Sequence, residues 1–202
     1  MKIALYLGSF NPFHNGHLEV IKTALNDFKM DRVIIVPTMQ NPWKKEKVLD
    51  INKREEIIRK SIFNSNLVSK YISALQDCSI KIDEKWISLK PKGILISLIE
   101  KELIPPYYSY ATLHALKNKY CNDEIFVLCG EDTIKDIPNW MNGEAIIQDY
   151  NFLIVDRPKN SISSSSIREM LRTRNKMDAY YSDEKLAKYV SSNVINLLKK
   201  YY

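Results

Sequence analysis

Glycine is scarce, with five in 202 residues, against about 7% in an average chain. A dinucleotide fingerprint needs three glycines within six residues, and a P-loop needs G-x-x-x-x-G-K-[ST]. Gly8, Gly16, Gly93, Gly130 and Gly143 fit neither spacing, so two common phosphate-binding designs are excluded. Cysteine is equally sparse: Cys78, Cys121 and Cys129 are odd in number and form no C-x-x-C pair. That argues against a disulfide scaffold and for a reducing compartment. No stretch approaches the ~18 apolar residues of a membrane span, and the apolar run at residues 3–7 is too short for a signal peptide. A soluble, cytoplasmic chain without a membrane partner is expected. Net charge is only +6, which solubility alone explains as readily as an anionic partner. Seven arginines against twenty-three lysines, with no RNA-recognition signature, speak against a nucleic-acid partner.

What is present alternates. Short runs rich in β-branched and aromatic residues at 3–7, 32–36, 125–129 and 151–155 read as buried strands. Between them, helical stripes run over 16–28, 50–63 and 109–120. The middle predicts a strand or hairpin over 79–89 and a helix over 94–103. Two helices, about 164–174 and 183–201, close the chain. Alternating β and α elements imply a parallel sheet with helices on both faces. One domain over 1–202 is expected, with a core of about 1–160 and a helical part of about 161–202. In such sheets ligands bind beyond the carboxyl ends of the strands, so the residues following each strand matter most.

After the first strand comes Gly8-Ser9-Phe10-Asn11-Pro12-Phe13-His14-Asn15-Gly16-His17. Two of the chain's three histidines sit here, three residues apart at a predicted helix start. Both imidazoles can donate N–H to one anion, and the helix N-terminus adds its positive pole. A zinc site would need at least three protein ligands, and no cysteine lies nearby in sequence. A second anion nest is predicted at Ile162-Ser163-Ser164-Ser165-Ser166-Ile167-Arg168, where a serine N-cap precedes exposed N–H groups and Arg168 adds a guanidinium fork.

The first segment resembles the G-[ST]-F-[DN]-P-x-H-x-G-H signature of the nucleotidyltransferase superfamily, whose H-x-G-H turn is shared with class I aminoacyl-tRNA synthetases. The serine segment resembles its I-S-S-x-x-I-R helix start. Further matches run in order through Val36-Pro37-Thr38 to Lys44, Ser109-Tyr110-Ala111-Thr112-Leu113, Gly130-Glu131-Asp132 with Trp140, and Asp156-Arg157-Pro158. Together they are similar to the bacterial-type nicotinate-nucleotide adenylyltransferases. The sequence departs from that pattern at Leu7, where a glycine is usual, at Ser165, where threonine is usual, over 68–105, and at 181–184.

The resemblance implies a Rossmann-like, doubly wound sheet and an adenylyl transfer from ATP to nicotinate or nicotinamide mononucleotide, in NAD biosynthesis, with pyrophosphate released. It implies His14, His17, Lys44 and Arg168 as catalytic residues. Gly8, Ser9, Phe10, His14, Gly16, His17, Gly130, Asp132, Ile162, Ser165, Ser166 and Arg168 would contact ATP. Ser9, Phe10, Asn11, Lys44, Tyr110, Thr112, Trp140 and Arg157 would contact the mononucleotide. Magnesium is expected on the ATP phosphates, with no dedicated protein cage. Pantetheine-phosphate adenylyltransferases and cytidylyltransferases are the rivals within the superfamily, and a nucleic-acid-binding module is a distant third. Homo-oligomerisation is left open. On this reading Gly8, Gly16 and Gly130 are kept where a nucleotide presses on the backbone, while Gly93 and Gly143 are ordinary turn residues.

Overall fold

The computed structural model describes residues 1–40, 48–63, 65, 86–88, 93–156, 162–173 and 179–202, with backbone alone at 86–88 and 179–182. Its strands are β1 (Lys2–Gly8), β2 (Arg32–Pro37), β3 (Trp86–Ser88), β4 (Gly93–Ile96), β5 (Glu124–Gly130) and β6 (Asn151–Val155). They form one sheet in the order β3-β4-β2-β1-β5-β6. Every pairing is parallel except that of β3 with β4, which is antiparallel at the edge. The helices are α1 (Asn15–Asn26), α2 (Ile51–Phe63), α3 (Ser109–Lys119), α4 (Glu131–Asp136), α5 (Gly143–Asp149), α6 (Ser164–Thr173), α7 (Ala179–Ala187) and α8 (Ser192–Tyr201).

The near-continuous apolar strands make sense because both sheet faces are covered. Side chains alternate across a strand, so Ala4 and Tyr6 of β1 and Val33 and Ile35 of β2 enter one core layer. There they meet Ile21 and Leu25 of α1, Ile57 and Ile58 of α2, Ile167 of α6 and Leu198 of α8. Ile3, Leu5, Ile34 and Val36 enter the opposite layer with Leu113 and Leu116 of α3 and Ile146 of α5. The chain builds outward from β1 through β2 to β4, then crosses to β5 on the other side of β1. The strand order therefore reverses between β1 and β5, and the crevice at their carboxyl ends is where such folds bind ligands.

The sheet, with helices on both faces, is the fold class that the alternating pattern predicts, and two local expectations need correction. Residues 94–103 are not one helix: Ile94 to Ile96 form β4, followed by a short 3-10 turn, Ile99–Glu102. Ile94 and Ile96 face one core layer and Leu95 the other, and such an all-apolar run carries no period that separates strand from helix. The strand expected within 79–89 is present as Trp86–Ser88, while the rest of that stretch lies outside the described residues. The closing helix is two, α7 and α8, separated by a turn over 188–191 whose Tyr189 carbonyl accepts from Asn15 N–H at 2.8 Å, at the start of α1. Ser191 starts α8 afresh. Helices α4 and α5, unforeseen in sequence, fill the connection from β5 to β6.

Candidate active site

The turn after β1 is held by its own side chains. His14 is the N-cap of α1: its Nδ1 accepts from Gly16 N–H at 3.1 Å, and its own N–H donates to His17 Nδ1 at 3.1 Å. This reciprocal pair is a capping box made from two histidines in place of Ser and Glu. A ring that accepts at Nδ1 while neutral carries its proton on Nε2, so the hydrogen bonds assign both tautomers. Each imidazole is thereby set to donate from Nε2. The ring centroids lie 3.8 Å apart, and the His17 ring stacks on Phe13 at 5.0 Å and meets the Phe10 edge at 5.1 Å.

Phe10 takes a left-handed φ of 44°, a backbone state costing of order 1 kcal/mol or more outside glycine. Its ring, 2% exposed, is packed among Tyr6, Phe13 and His17, which holds that conformation in place. The same ring explains Gly8: a Cβ there would come within 3.0 Å of Phe10 Cζ. At Gly16 a Cβ would meet the His14 ring at 3.0 Å. Both glycines therefore make room for side chains of the turn itself. Gly143 is not an ordinary turn residue: a Cβ there would fall 1.9 Å from the Ile137 carbonyl oxygen, so it is the most sterically constrained of these three glycines.

The serine segment meets this turn as the two sequence signals require. Ser164 Oγ donates to the Pro12 carbonyl at 2.8 Å, and Arg168 Nη1 donates to the Asn11 carbonyl at 2.6 Å. Arg168 Nη2 also donates to Ser165 Oγ at 3.2 Å. Ser163 caps α6, its Oγ accepting from Ser166 N–H at 3.1 Å. Two helix N-termini, α1 and α6, thus converge beside the crevice between β1 and β5. Ser165 and Ser166 are exposed, whereas Ile162 packs partly on the core. Along α6 an open groove of about 690 Å³ is lined by Ser165, Ser166, Arg168, Arg172 and Lys185, with Glu169 as its carboxylate.

Other expected residues are distributed around the same end of the sheet. Ser9 follows β1, and Asn11 is buried with its Oδ1 accepting from Leu49 N–H at 3.2 Å and from the Tyr202 hydroxyl. Gly130 ends β5 and caps α4, whose first turn exposes Glu131 and Asp132. Tyr110 and Trp140 are half-buried, both packed on the second core layer. Thr112 is fully buried, and its hydroxyl donates to Glu100 Oε1 at 2.7 Å. Lys44 and Arg157 lie outside the described residues.

Sequence reasoning missed Arg54 and Glu100, which are 1% and 0% exposed. The Arg54 guanidinium donates to the carbonyls of Leu49 at 2.6 Å, Ser9 at 2.7 Å and Met39 at 3.3 Å. Glu100 accepts from Met39 N–H at 2.5 Å as well as from Thr112. Burial pushes the Glu100 carboxyl above its ordinary range, against the Met39 and Thr112 hydrogen bonds and the Arg54 charge, which act to lower it. Burial likewise lowers Arg54, against the nearby negative charges, Glu100 among them. A signal existed: Arg54 falls on the inward stripe of α2 with Ile51, Ile57, Ile58 and Ile62, where a charged residue needs a reason.

Among the described residues, no group of three His, Cys, Asp or Glu side chains could hold a metal, and no helix is long and apolar enough to cross a membrane. The chemistry on offer is anion binding: N–H and O–H donors with guanidinium, gathered at two helix ends.

The chain is similar to known proteins. Residues 5–170 match the cytidylyltransferase-like family. A Flavobacterium johnsoniae protein named "Probable nicotinate-nucleotide adenylyltransferase" is 31% identical over 165 residues, covering 79% of this chain and 72% of that protein. The Bacillus subtilis nicotinate-nucleotide adenylyltransferase is 26% identical over 209 residues, covering 95% and 96%. In fold, the chain superposes on the Plasmodium falciparum nicotinic acid mononucleotide adenylyltransferase complexed with NaAD, with a TM-score of 0.69 at 19% identity, covering 99% and 95%. The chain belongs to the cytidylyltransferase-like family and, within it, to the nicotinate-nucleotide adenylyltransferases.

Proposed function

We propose that this protein transfers the AMP part of ATP to nicotinate mononucleotide, releasing pyrophosphate and forming a dinucleotide for NAD biosynthesis. The observation that carries the chemistry is the histidine capping box. It fixes two Nε2–H donors at the N-terminus of α1, with α6 and its exposed serines docked beside them. The relatives' names carry the choice of acceptor.

The nucleophile is the mononucleotide phosphate. Its second pKa is near 6, so it is ionised at neutral pH and needs no general base. One of its oxygens bonds to the α-phosphorus of ATP as the α–β phosphoanhydride bond breaks, and pyrophosphate leaves with that electron pair. Alignment of two anions and neutralisation of their charge then account for catalysis. His14 donates to the transferring phosphate and His17 to the triphosphate. Lys44 adds a cation, and Ser165, Ser166 and Arg168 hold the β- and γ-phosphates. Gly8, Ser9, Phe10 and Gly16 shape the turn around the nucleotides. On the far side of the crevice, Gly130 and Asp132 receive the ribose. Trp140 and Tyr110, half-exposed, stack against the pyridine ring, and Arg157 and Asn11 complete the mononucleotide side.

The donor set suits anions, so magnesium would enter as part of the substrate, carried on the ATP phosphates. Asp132, exposed at the rim of β5, is the carboxylate that would face it. When bound, the magnesium ion would supply charge neutralisation on the phosphates.

The test is pyrophosphate release from magnesium-ATP with four acceptors: nicotinate mononucleotide, nicotinamide mononucleotide, phosphopantetheine and glycerol phosphate. Nicotinate mononucleotide should be the preferred acceptor by at least tenfold in kcat/KM. Turnover confined to phosphopantetheine or glycerol phosphate overturns the assignment.

A further inference from the structure

The turn that carries both histidines is braced from outside by residues 188–202. At its start Asn11 is bonded from three sides. Its Oδ1 accepts from Leu49 N–H, just before α2, and from the Tyr202 hydroxyl, just after α8. Its carbonyl accepts from Arg168 Nη1 of α6 at 2.6 Å. Further along the turn, Asn15 N–H donates to the Tyr189 carbonyl at 2.8 Å, and Asn15 Nδ2 donates to the Lys188 carbonyl at 3.4 Å. His14 therefore lies between two contacts made by the same part of the chain.

Helix α8 joins those two contacts and is firmly seated. Val194, Ile195, Leu197 and Leu198 are buried in the core, and the Tyr201 hydroxyl donates to Glu56 of α2 at 2.5 Å. Tyr202 N–H donates to the Leu198 carbonyl at 2.9 Å, so the helical bonding runs on to this residue and its hydroxyl reaches Asn11 from a fixed base. A backbone N–H can only donate. The Leu49 bond thus fixes which end of the Asn11 amide is oxygen, and the tyrosine must be the second donor. Asn11 is 4% exposed, and a buried acceptor that loses a donor is costly. What hangs from Asn11 belongs to the phosphate site: the guanidinium on its carbonyl also reaches Ser165 Oγ at 3.2 Å.

We propose that Tyr202 is a positioning residue for the transfer. With Leu49 N–H, its hydroxyl pins the Asn11 side chain, which fixes both the carbonyl that anchors Arg168 and the entry of the chain into His14. The inference rests on the roles proposed above for His14 and Arg168. Tyr202 acts through Asn11, so its loss misaligns the reacting anions without unfolding the turn.

The test is made in the full chain, with the acceptor that the wild-type enzyme prefers in the four-acceptor panel. A wrong substrate assignment then shows in the wild type and leaves the comparison standing. Tyr202→Phe removes the hydroxyl alone. It should lower kcat by about fivefold or more, the scale of one hydrogen bond, while Tm falls by no more than about 4 °C. In an Asn11→Ala background the same substitution should change kcat less than twofold, because the hydroxyl then has nothing to hold. NMR of the imidazole nitrogens gives a readout that needs no turnover. Tyr202→Phe should move the His14 and His17 signals and leave those of exposed His114 in place. A kcat for Tyr202→Phe within twofold of wild type, an undiminished fall in the Asn11→Ala background, or unmoved His14 and His17 signals each overturn the proposal. Should Asn11→Ala fold or turn over too poorly to measure, Tyr202→Leu decides. Phenylalanine and leucine should lower kcat equally although leucine lowers Tm further, and a kcat that instead tracks Tm overturns the proposal.

Discussion

His17→Asn separates the two jobs of this histidine. In the capping box His17 Nδ1 accepts from His14 N–H at 3.1 Å, while Nε2–H is the proposed donor to the triphosphate. Asparagine places its Oδ1 where Nδ1 stood, so the cap survives, but nothing replaces the donor at the Nε2 position. A hydrogen bond to a charged group is worth about 1.5–3 kcal/mol, and each 1.36 kcal/mol in the barrier is about tenfold in rate. Turnover should therefore fall by about 10- to 150-fold. The smaller side chain gives up packing against Phe10 and Phe13. At about 1–2 kcal/mol, a cost in line with trimming a buried side chain, that lowers Tm by about 2–8 °C for a chain of this size. His17→Gln is the mirror image: it keeps a donor near the Nε2 position and loses the cap acceptor, at about 1 kcal/mol. Pyrophosphate release under saturating substrates, read beside thermal melting, gives both numbers for each variant. Turnover of His17→Asn within threefold of wild type, with the cap intact by melting, would refute the donor assignment.

Two stability predictions follow from other parts of the fold. Gly143→Ala must move backbone, since its Cβ would sit 1.9 Å from the Ile137 carbonyl, and should cost upwards of ~3 kcal/mol. Gly93→Ala finds Arg32 Nε at an ordinary 3.6 Å and should be neutral or stabilising by about 0.4–1 kcal/mol through the unfolded chain; equal Tm values for the two variants would refute the contrast. Glu56 is held below its ordinary range chiefly by the Tyr201 hydroxyl at 2.5 Å. A lowered carboxylate contributes stability above its unfolded pKa and loses it as pH falls through the folded value. Tyr201→Phe should therefore move the acid limb of the stability curve to higher pH, and an unshifted limb in urea titrations across pH 3–6 would contradict the pairing.

How far the sequence could be read depended on how local each signal was. The strand-to-helix turn at 8–17 was legible because a glycine, a helix start and two histidines coincide within ten residues. The serine helix was legible for the same reason. That these two segments meet also followed from the sheet order, since ligands in such folds gather at the carboxyl ends. The strand at Gly93–Ile96 was not legible, because a run apolar on both faces has no period to display. The turn between α7 and α8 is bonded through the Tyr189 carbonyl to Asn15, a contact spanning nearly the whole chain. No local pattern reports such a contact.

Arg54 and Glu100 mark the boundary between these cases. Arg54 stands out only by its place on the inward apolar stripe of α2, and Glu100 looks unremarkable, one carboxylate beside a lysine. Only their partners, the backbone of Ser9 and Met39 and the hydroxyl of Thr112, show what they hold, and those partners come from three separate stretches of chain. Thr112 shows the same limit from the other direction. Its place in a recognisable helix start suggested direct contact with the substrate, yet its hydroxyl is spent on Glu100. A motif records that a residue type is needed at a position; whether it touches the ligand or steadies what does is decided by burial, which depends on the rest of the fold.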